Sequence, residues 1–227
     1  MLAAHPQRAG ARDQGARAVT APVWIAGHSL GAARALLYAY ARVVRGLRVD
    51  GVYALAPPQP GSGAIGLMLA RVPVVRSFRN RRDPVPLVPA HVGWLGEDYA
   101  QPHELEALNE APAGGGLFAD HHVGLYVDGI NKLPSDGGAR DAAAEVARLY
   151  VDRDGWDWAH LVDGQYWAMR VMPCGARLMI ARGSKTALDW LDDFDAVQVS
   201  QFGARVSAGF WAGVGPVLEA LDGALGA

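Results

Sequence analysis

The sequence contains one cysteine, Cys174, so it can form neither an intramolecular disulfide nor a zinc site built from several cysteines. Its apolar runs are far shorter than the roughly 18 residues that a membrane span requires. Residues 1–20 are rich in Ala, Arg and Gln, and they lack the apolar segment of a secretory leader. We therefore expect a soluble or cytoplasmic protein that does not insert stably into a membrane.

Charged residues are sparse, at 19% of 227, and their signs are unevenly distributed. Residues 1–82 carry 12 Arg and 2 Asp, a balance of +10, whereas residues 83–227 carry 9 Lys and Arg and 21 acids, a balance of −12. Because the arginines are scattered through apolar segments, this asymmetry favours two halves that fold against each other, and we expect no nucleic-acid partner. The hydrophobic content of 51% is sufficient for a packed core and excludes bulk disorder.

Short apolar runs alternate with segments of helical periodicity, which predicts an α/β fold with a mostly parallel sheet flanked by helices. Residues 90–117 are expected to be mostly loop, and residues 133–140 have the composition of a linker. Residues 165–172 and 176–181 are expected to pair as a hairpin. The remaining predicted strands are residues 22–27, 49–56 and 72–78, and the predicted helices are residues 30–44, 123–130, 141–151 and 210–225.

Residues 27–31 read Gly-His-Ser-Leu-Gly, which fits the pattern Gly-x-Ser-x-Gly. The pattern follows a predicted strand and opens a predicted helix, which is the context that a nucleophile elbow requires. The two glycines let the turn approach its neighbours without a steric clash. Ser29 is therefore the candidate nucleophile, and the backbone N–H of Leu30 is a candidate oxyanion donor.

A serine nucleophile needs a base, and the base needs a carboxylate to orient it. In elbow folds these follow the serine in the order acid, then histidine. Asp83 follows the strand predicted at residues 72–78 and precedes a proline, which suits an orienting acid. His121 and His122 come next, at the start of a predicted helix. The residues alone leave both histidines open as the base.

These segments resemble the class 3 lipases of the α/β-hydrolase superfamily. Residues 24–32 are similar to that family's elbow, residues 56–61 to a Pro-x-x-Gly turn, and residues 80–89 to its acid loop. Residues 120–126 resemble a bacterial Asp-His-Ser-Ile-x-x-Tyr segment. The resemblance implies that Asp83 is the acid and favours His121 as the base, with His122 at the position where the family has serine.

The later part of the chain resembles the same family in a different order. Residues 178–184 are similar to the strand and Arg-Gly-Ser/Thr turn that supplies a second oxyanion donor, here Ser184. Residues 189–193 resemble an Asp-Trp-x-x-Asp segment, and residues 206–210 a Val-His-x-Gly-Phe segment with Ser207 in place of His. In the family this block precedes the nucleophile. The order of these segments implies a circular permutant. Its unpermuted parent, with the segments in the family's order, could then have been secreted.

The permuted order favours one domain over residues 1–227. Residues 1–132 supply the nucleophile, acid and base, residues 133–140 join the former termini, and residues 141–227 supply the oxyanion strand. A separate lid or binding domain at 141–227 is the alternative. It is less favoured because residues 1–132 alone would lack the second oxyanion donor and the sheet strands beside the elbow.

The resemblance implies hydrolysis of carboxylic esters, as a lipase or esterase, through an acyl-enzyme. We expect an ester or lipid substrate, transient contact with a lipid interface, and no metal or cofactor. The apolar members of residues 189–194 could border an acyl groove or pack inward in a helix. The alternative function is that of a catalytically inactive hydrolase fold, kept for binding or as a scaffold.

Overall fold

The computed structural model describes residues 21–89, 98–112, 115–116, 118–134, 137–152, 154–162, 165–183 and 197–226. Within these residues, seven strands form one sheet in the order β4-β3-β2-β1-β7-β6-β5, and two strands form a separate hairpin, β8-β9. The strands are β1 Val23–His28, β2 Gly51–Leu55, β3 Val74–Asn80, β4 Leu105–Leu108, β5 Trp158–Val162, β6 Gln165–Val171, β7 Arg177–Ala181, β8 Gln198–Gln201 and β9 Ala204–Ser207. The α-helices are α1 Leu30–Val44, α2 Ala64–Leu69, α3 Val123–Lys132, α4 Gly137–Val151, α5 Ala208–Ala212 and α6 Leu218–Ala224, and 3₁₀ turns lie at Val85–Leu87, Ala119–His121 and Gly215–Val217.

The sheet is parallel at its centre and antiparallel at one end. Strand β1 lies between β2 and β7 and is parallel to both, and β3 and β4 continue the parallel pairing. Strands β6 and β5 follow β7 in antiparallel register. This arrangement, flanked by helices, is an α/β-hydrolase fold and confirms the fold class expected from the sequence. It also contains the predicted hairpin of residues 165–172 and 176–181.

Alternate residues of β1 contact two different hydrophobic cores, one on each face of the sheet. Ile25 belongs to the core that includes residues of α1, α2, α5 and α6. Ala26 belongs to the core on the other face, together with residues of α3 and α4 such as Tyr126 and Val146. Both faces of the central strands are therefore covered, as the continuous apolar sequence of a parallel strand requires. In the described part of the chain no helix is long and apolar enough to cross a bilayer.

Several boundaries differ from the sequence expectations. Strand β4 lies inside residues 90–117, which were expected to be mostly loop, and α4 begins at Gly137, inside the expected linker. The helix expected over residues 210–225 is divided into α5, a 3₁₀ turn and α6. Pro216 lies at the break. The helix is interrupted there because proline has no N–H to continue the helical hydrogen bonding and its ring clashes with the preceding turn.

The last described helix packs beside the start of the central strand. The backbone N–H of Arg177 donates to the Pro22 carbonyl at 2.8 Å, and the Arg177 guanidinium donates to the Leu225 carbonyl. Asp222 on α6 is buried and accepts hydrogen bonds from Tyr38, Arg42 and Arg45. Residues 22 and 225 therefore lie close together, next to the first residue of β7.

Candidate active site

Ser29 lies in the turn between β1 and α1, with φ 59° and ψ −133°. Positive φ is uncommon for a residue with a side chain and marks a strained turn, as a nucleophile elbow requires. A Cβ on Gly27 would lie 2.3 Å from the Gly31 carbonyl oxygen, and a Cβ on Gly31 would lie 2.2 Å from the Ala181 carbonyl oxygen. Only glycine permits these approaches, which press the first turn of α1 against the end of β7.

The side chain of Ser29 does not cap α1, although serine at this position commonly does. Its Oγ lies 2.8 Å from Nε2 of His121. Nδ1 of His121 lies 2.7 Å from Oδ2 of Asp83. Because a carboxylate only accepts hydrogen bonds, Nδ1 carries the proton and Nε2 presents its lone pair to the serine hydroxyl. The structure thus brings Ser29, His121 and Asp83 together in one hydrogen-bonded series.

Asp83 follows β3 and is completely buried. Besides His121, its carboxylate accepts the Val85 N–H at 2.9 Å and the Tyr126 hydroxyl. The Tyr126 hydroxyl in turn accepts the Asn80 N–H at 3.0 Å. Burial and the neighbouring Asp83 charge raise the pKa of Tyr126 well above its usual value, so the phenol remains a donor. Three donors compensate the desolvation of this carboxylate, as a buried charge requires.

The role of Tyr126 was not predicted from the sequence. Tyr126 lies in α3, three residues beyond the start of the helix, and its side chain is fully buried against the acid. The sequence comparison included this tyrosine in the segment 120–126, and that was the only signal that could have singled it out. Nothing in helical periodicity distinguishes a tyrosine that packs from one that also donates to a carboxylate.

Hydrogen bonds between side chains and the backbone join the turn that carries His121 to the loop that carries Asp83. Nδ2 of Asn80 donates to the Asp120 carbonyl at 3.3 Å and to the Glu110 carbonyl at 3.0 Å. The Asp120 carboxylate accepts the Arg82 N–H at 3.3 Å. These bonds connect the residue before His121 with the residues before Asp83. The turn of His121 and the loop of Asp83 are therefore held by the same local network.

The other histidine candidate, His122, has a different position. Its side chain is exposed, and its Nδ1 accepts the Gly124 N–H at 3.2 Å, which caps the start of α3. A histidine used as a helix cap turns away from the serine. The two adjacent histidines therefore have separate tasks in the structure, and the contact with Ser29 Oγ is made by His121.

His28 lies inside the elbow, next to Ser29 in the chain and in contact with the backbone of His121. It is 5% exposed, its Nε2 lies 2.9 Å from the His121 carbonyl oxygen, and its Nδ1 lies 3.1 Å from the Tyr150 hydroxyl. Burial, followed by the proximity of His121, lowers the pKa of His28 well below its usual value. These contacts of His28 were not predicted from the sequence.

Of the two expected oxyanion donors, Leu30 lies within the described residues and Ser184 does not. Leu30 opens α1, where backbone N–H groups have no partner inside the helix. The second expected donor, Ser184, lies outside the described residues, and so do residues 189–194. Ser207 is described, and its hydroxyl accepts the Phe210 N–H and caps α5. Among the described residues, no group of three or more His, Cys, Asp or Glu side chains is arranged to hold a metal ion.

The sheet order and the elbow are those of an α/β-hydrolase fold, and two comparisons with known proteins found similar sequences or structures. A family model described as lipase (class 3) matches residues 12–93, which include the elbow and Asp83, and this confirms the resemblance over those residues. Among solved structures, a mutant form of MDLA from Penicillium cyclopium is similar at 28% identity with a TM-score of 0.35. That match covers 44% of this chain and 35% of the other, so it spans about a third of that protein. No curated protein matches the sequence.

Proposed function

We propose that this protein is a serine hydrolase that cleaves carboxylic esters, as a lipase or esterase, through an acyl-enzyme. The observation that carries the proposal is the series Ser29–His121–Asp83, with contacts of 2.8 Å and 2.7 Å on an elbow of positive φ. The match of residues 12–93 to class 3 lipases supports a lipase-type hydrolase. Ester and lipid substrates follow from that family.

In the acylation step, Ser29 Oγ attacks the ester carbonyl carbon while Nε2 of His121 takes the hydroxyl proton. The tetrahedral intermediate then collapses, and His121 delivers the proton to the departing alcohol. Asp83 stabilises the imidazolium without taking its proton. In the second step a water molecule attacks the acyl-enzyme, His121 again accepts and returns a proton, and a carboxylic acid leaves Ser29.

The negative charge on the carbonyl oxygen needs donors that are already in position. We propose the N–H of Leu30, at the first turn of α1, and the N–H of Ser184 beyond the end of β7. The contact of Gly31 with Ala181 supports this assignment, since it holds the elbow and the end of β7 in direct contact. Removing one such donor typically lowers the rate by about 100-fold or more.

The test is hydrolysis of p-nitrophenyl butyrate and p-nitrophenyl palmitate, together with labelling by a fluorophosphonate. We expect turnover and labelling in the wild type and loss of both in Ser29→Ala. The matched control is Ser77→Ala, because the buried Ser77 hydroxyl has no hydrogen-bond partner among the described residues. Wild-type protein that folds but neither turns over an ester nor is labelled would contradict the proposal and favour a binding or scaffold protein.

We further propose that the chain is a circular permutant of the class 3 lipase arrangement. Two contacts support this: Arg177 contacts both Pro22 and Leu225, so the end of α6 lies where the family's chain would continue into β1. Helices α3 and α4 are joined by four residues, 133–136. A protein joined from residue 227 to residue 1 and opened between Pro134 and Gly137 should fold and retain Ser29-dependent turnover. Failure of this rewired protein to fold would contradict the permutation.

A further inference from the structure

We propose that His28 and Tyr150 are positioning residues that connect the catalytic base to the strand end expected to carry the oxyanion donor. The inference rests on the proposed function, because it concerns the same site. His28 contacts the backbone of His121, Tyr150 contacts His28, and the Tyr150 hydroxyl lies against Gly183, where a Cβ would be 2.9 Å from it. A single path of contacts therefore joins the two sides of the site behind Ser29.

The direction of each bond follows from the groups involved. The His121 carbonyl can only accept, so Nε2 of His28 carries a proton and donates to it. His28 is neutral, because burial and His121 lower its pKa well below the usual value, and Nδ1 is then an acceptor. The Tyr150 hydroxyl must donate to that nitrogen. Burial raises the pKa of Tyr150 to about 12, so the phenol keeps its proton.

The Tyr150 hydroxyl also lies against Gly183, the second residue after β7: a Cβ on this glycine would lie 2.9 Å from the phenol oxygen. This glycine is pressed against the elbow: a Cβ on it would lie 2.6 Å from the His28 carbonyl oxygen and 3.1 Å from the Ser29 Cβ. Gly183 directly precedes Ser184, whose N–H is the proposed oxyanion donor. Tyr150, on α4, thus packs against the last described residue before that proposed donor.

An imidazole suits the central place in this path. It offers one donor and one acceptor on a rigid ring, and here each contacts a different partner. The His28 and His121 rings lie 4.7 Å apart. When His121 becomes an imidazolium during acylation, a neutral His28 adds no like charge beside it, and its N–H continues to hold the His121 backbone. A small displacement of the base lowers the rate steeply, since catalysis depends on near-attack geometry.

Three variants test the path, and a fourth is the control. His28→Gln places an amide N–H near the Nε2 position and retains the bond to the His121 carbonyl. His28→Asn places an amide oxygen near the Nδ1 position and retains only the bond from Tyr150. Tyr150→Phe breaks the path at the phenol. Tyr40→Phe is the matched control, because its hydroxyl bonds to the Gln201 and Phe202 carbonyls in the β8–β9 turn.

Kinetics with p-nitrophenyl butyrate should separate these variants. We expect Tyr150→Phe and His28→Asn to lower kcat by about tenfold with KM within about twofold, because the substrate contacts remain while the base and the oxyanion segment move. His28→Gln should retain more kcat than His28→Asn. Tyr150→Phe should have a smaller effect in His28→Leu than in the wild type, because its bond to residue 28 is already lost there. Tyr40→Phe should keep the wild-type kcat.

The outcomes distinguish this inference from the proposed function. If the wild type neither turns over ester nor accepts the fluorophosphonate, the proposed function fails and the inference fails with it. If the wild type is active and Tyr150→Phe keeps a kcat within twofold of Tyr40→Phe, the inference alone is overturned. Additive losses in the double variant of His28 and Tyr150 would also overturn it. Near-ultraviolet circular dichroism shows whether each variant is folded, and the His28 pair tests the path if Tyr150→Phe is not.

Discussion

Replacement of Tyr126 by phenylalanine should destabilise the protein by an amount that the surroundings of Asp83 define. The phenol donates to a completely buried carboxylate and accepts the N–H of Asn80. Tyr126→Phe keeps the ring and removes only the hydroxyl. The carboxylate then retains two donors, His121 and Val85, and the Asn80 N–H loses its acceptor. The variant therefore measures how much a buried charge depends on its third hydrogen bond.

A hydrogen bond to a charged group contributes about 1.5–3 kcal/mol, and a neutral one about 0.5–1.5 kcal/mol. We therefore expect Tyr126→Phe to lower the free energy of unfolding by about 2–4 kcal/mol, with the unpaired Asn80 N–H included. Tyr40→Phe loses bonds to neutral carbonyls only, and we expect about 1 kcal/mol. The two rings are both buried. The difference between the two losses in unfolding free energy therefore reports on the hydroxyl contacts and not on ring burial.

Urea unfolding followed by tryptophan fluorescence supplies both free energies. In an Asp83→Asn background, where the charge is absent, the effect of Tyr126→Phe should shrink by about 1 kcal/mol or more. Turnover should fall by less than about tenfold, since the bond from His121 to Asp83 remains. The reasoning would be refuted if Tyr126→Phe and Tyr40→Phe lowered the unfolding free energy equally and if Asp83→Asn did not change the effect of Tyr126→Phe. The phenol would then not stabilise the buried carboxylate.

Three further variants test other contacts. Asp222→Asn leaves Arg42 buried without its ion-pair partner, so we expect the free energy of unfolding measured by calorimetry to fall by about 3–5 kcal/mol. A loss under about 1 kcal/mol would instead indicate that the cluster behaves as a surface contact. His28 has a folded pKa well below its unfolded value of 6.5, so its neutral burial stabilises the protein above pH 6.5, and this is lost as the pH falls. The unfolding free energy of the wild type should thus fall relative to His28→Gln by up to about 1.4 kcal/mol per pH unit below 6.5, and parallel curves would contradict this. Gly31→Ala should lose about 1–3 kcal/mol or more and most turnover, whereas Gly63→Ala, where a Cβ meets nothing within 4 Å, should be close to neutral in the same assays.

The centre of the fold could be predicted from the sequence because its signals are local and strong. The apolar run of β1, the helical spacing of α1 and the glycines of residues 27–31 are consistent with one another, and the helix has the bounds expected. The elements that escaped prediction are short or lie at a sheet edge. Strands β4 and β5 pair on one side only, so neither needs an apolar sequence that would reveal it.

In the candidate site, too, some residues could be predicted from the sequence and others could not. Chain order led to Ser29, Asp83 and the pair His121 and His122, and the structure separates the two histidines by their hydrogen bonds. Their neighbours Tyr126 and Tyr150 could not be recognised, because a tyrosine in a helix gives no sign of which distant carboxylate or imidazole its hydroxyl will meet. Such roles depend on packing between elements far apart in the sequence.

The position of β1 between β2 and β7 has a consequence for how the protein forms. Trp24 pairs with Gly51 nearby, whereas Val23 pairs with Arg177 far later in the chain. A nascent polypeptide that stops short of β7 already holds Ser29, Asp83 and His121, but its central strand has a bare edge, which invites pairing with other chains. Assembly of the elbow against its neighbour must wait for this distant contact, which slows folding. We therefore expect chains that end before β7 to aggregate more readily than the full chain.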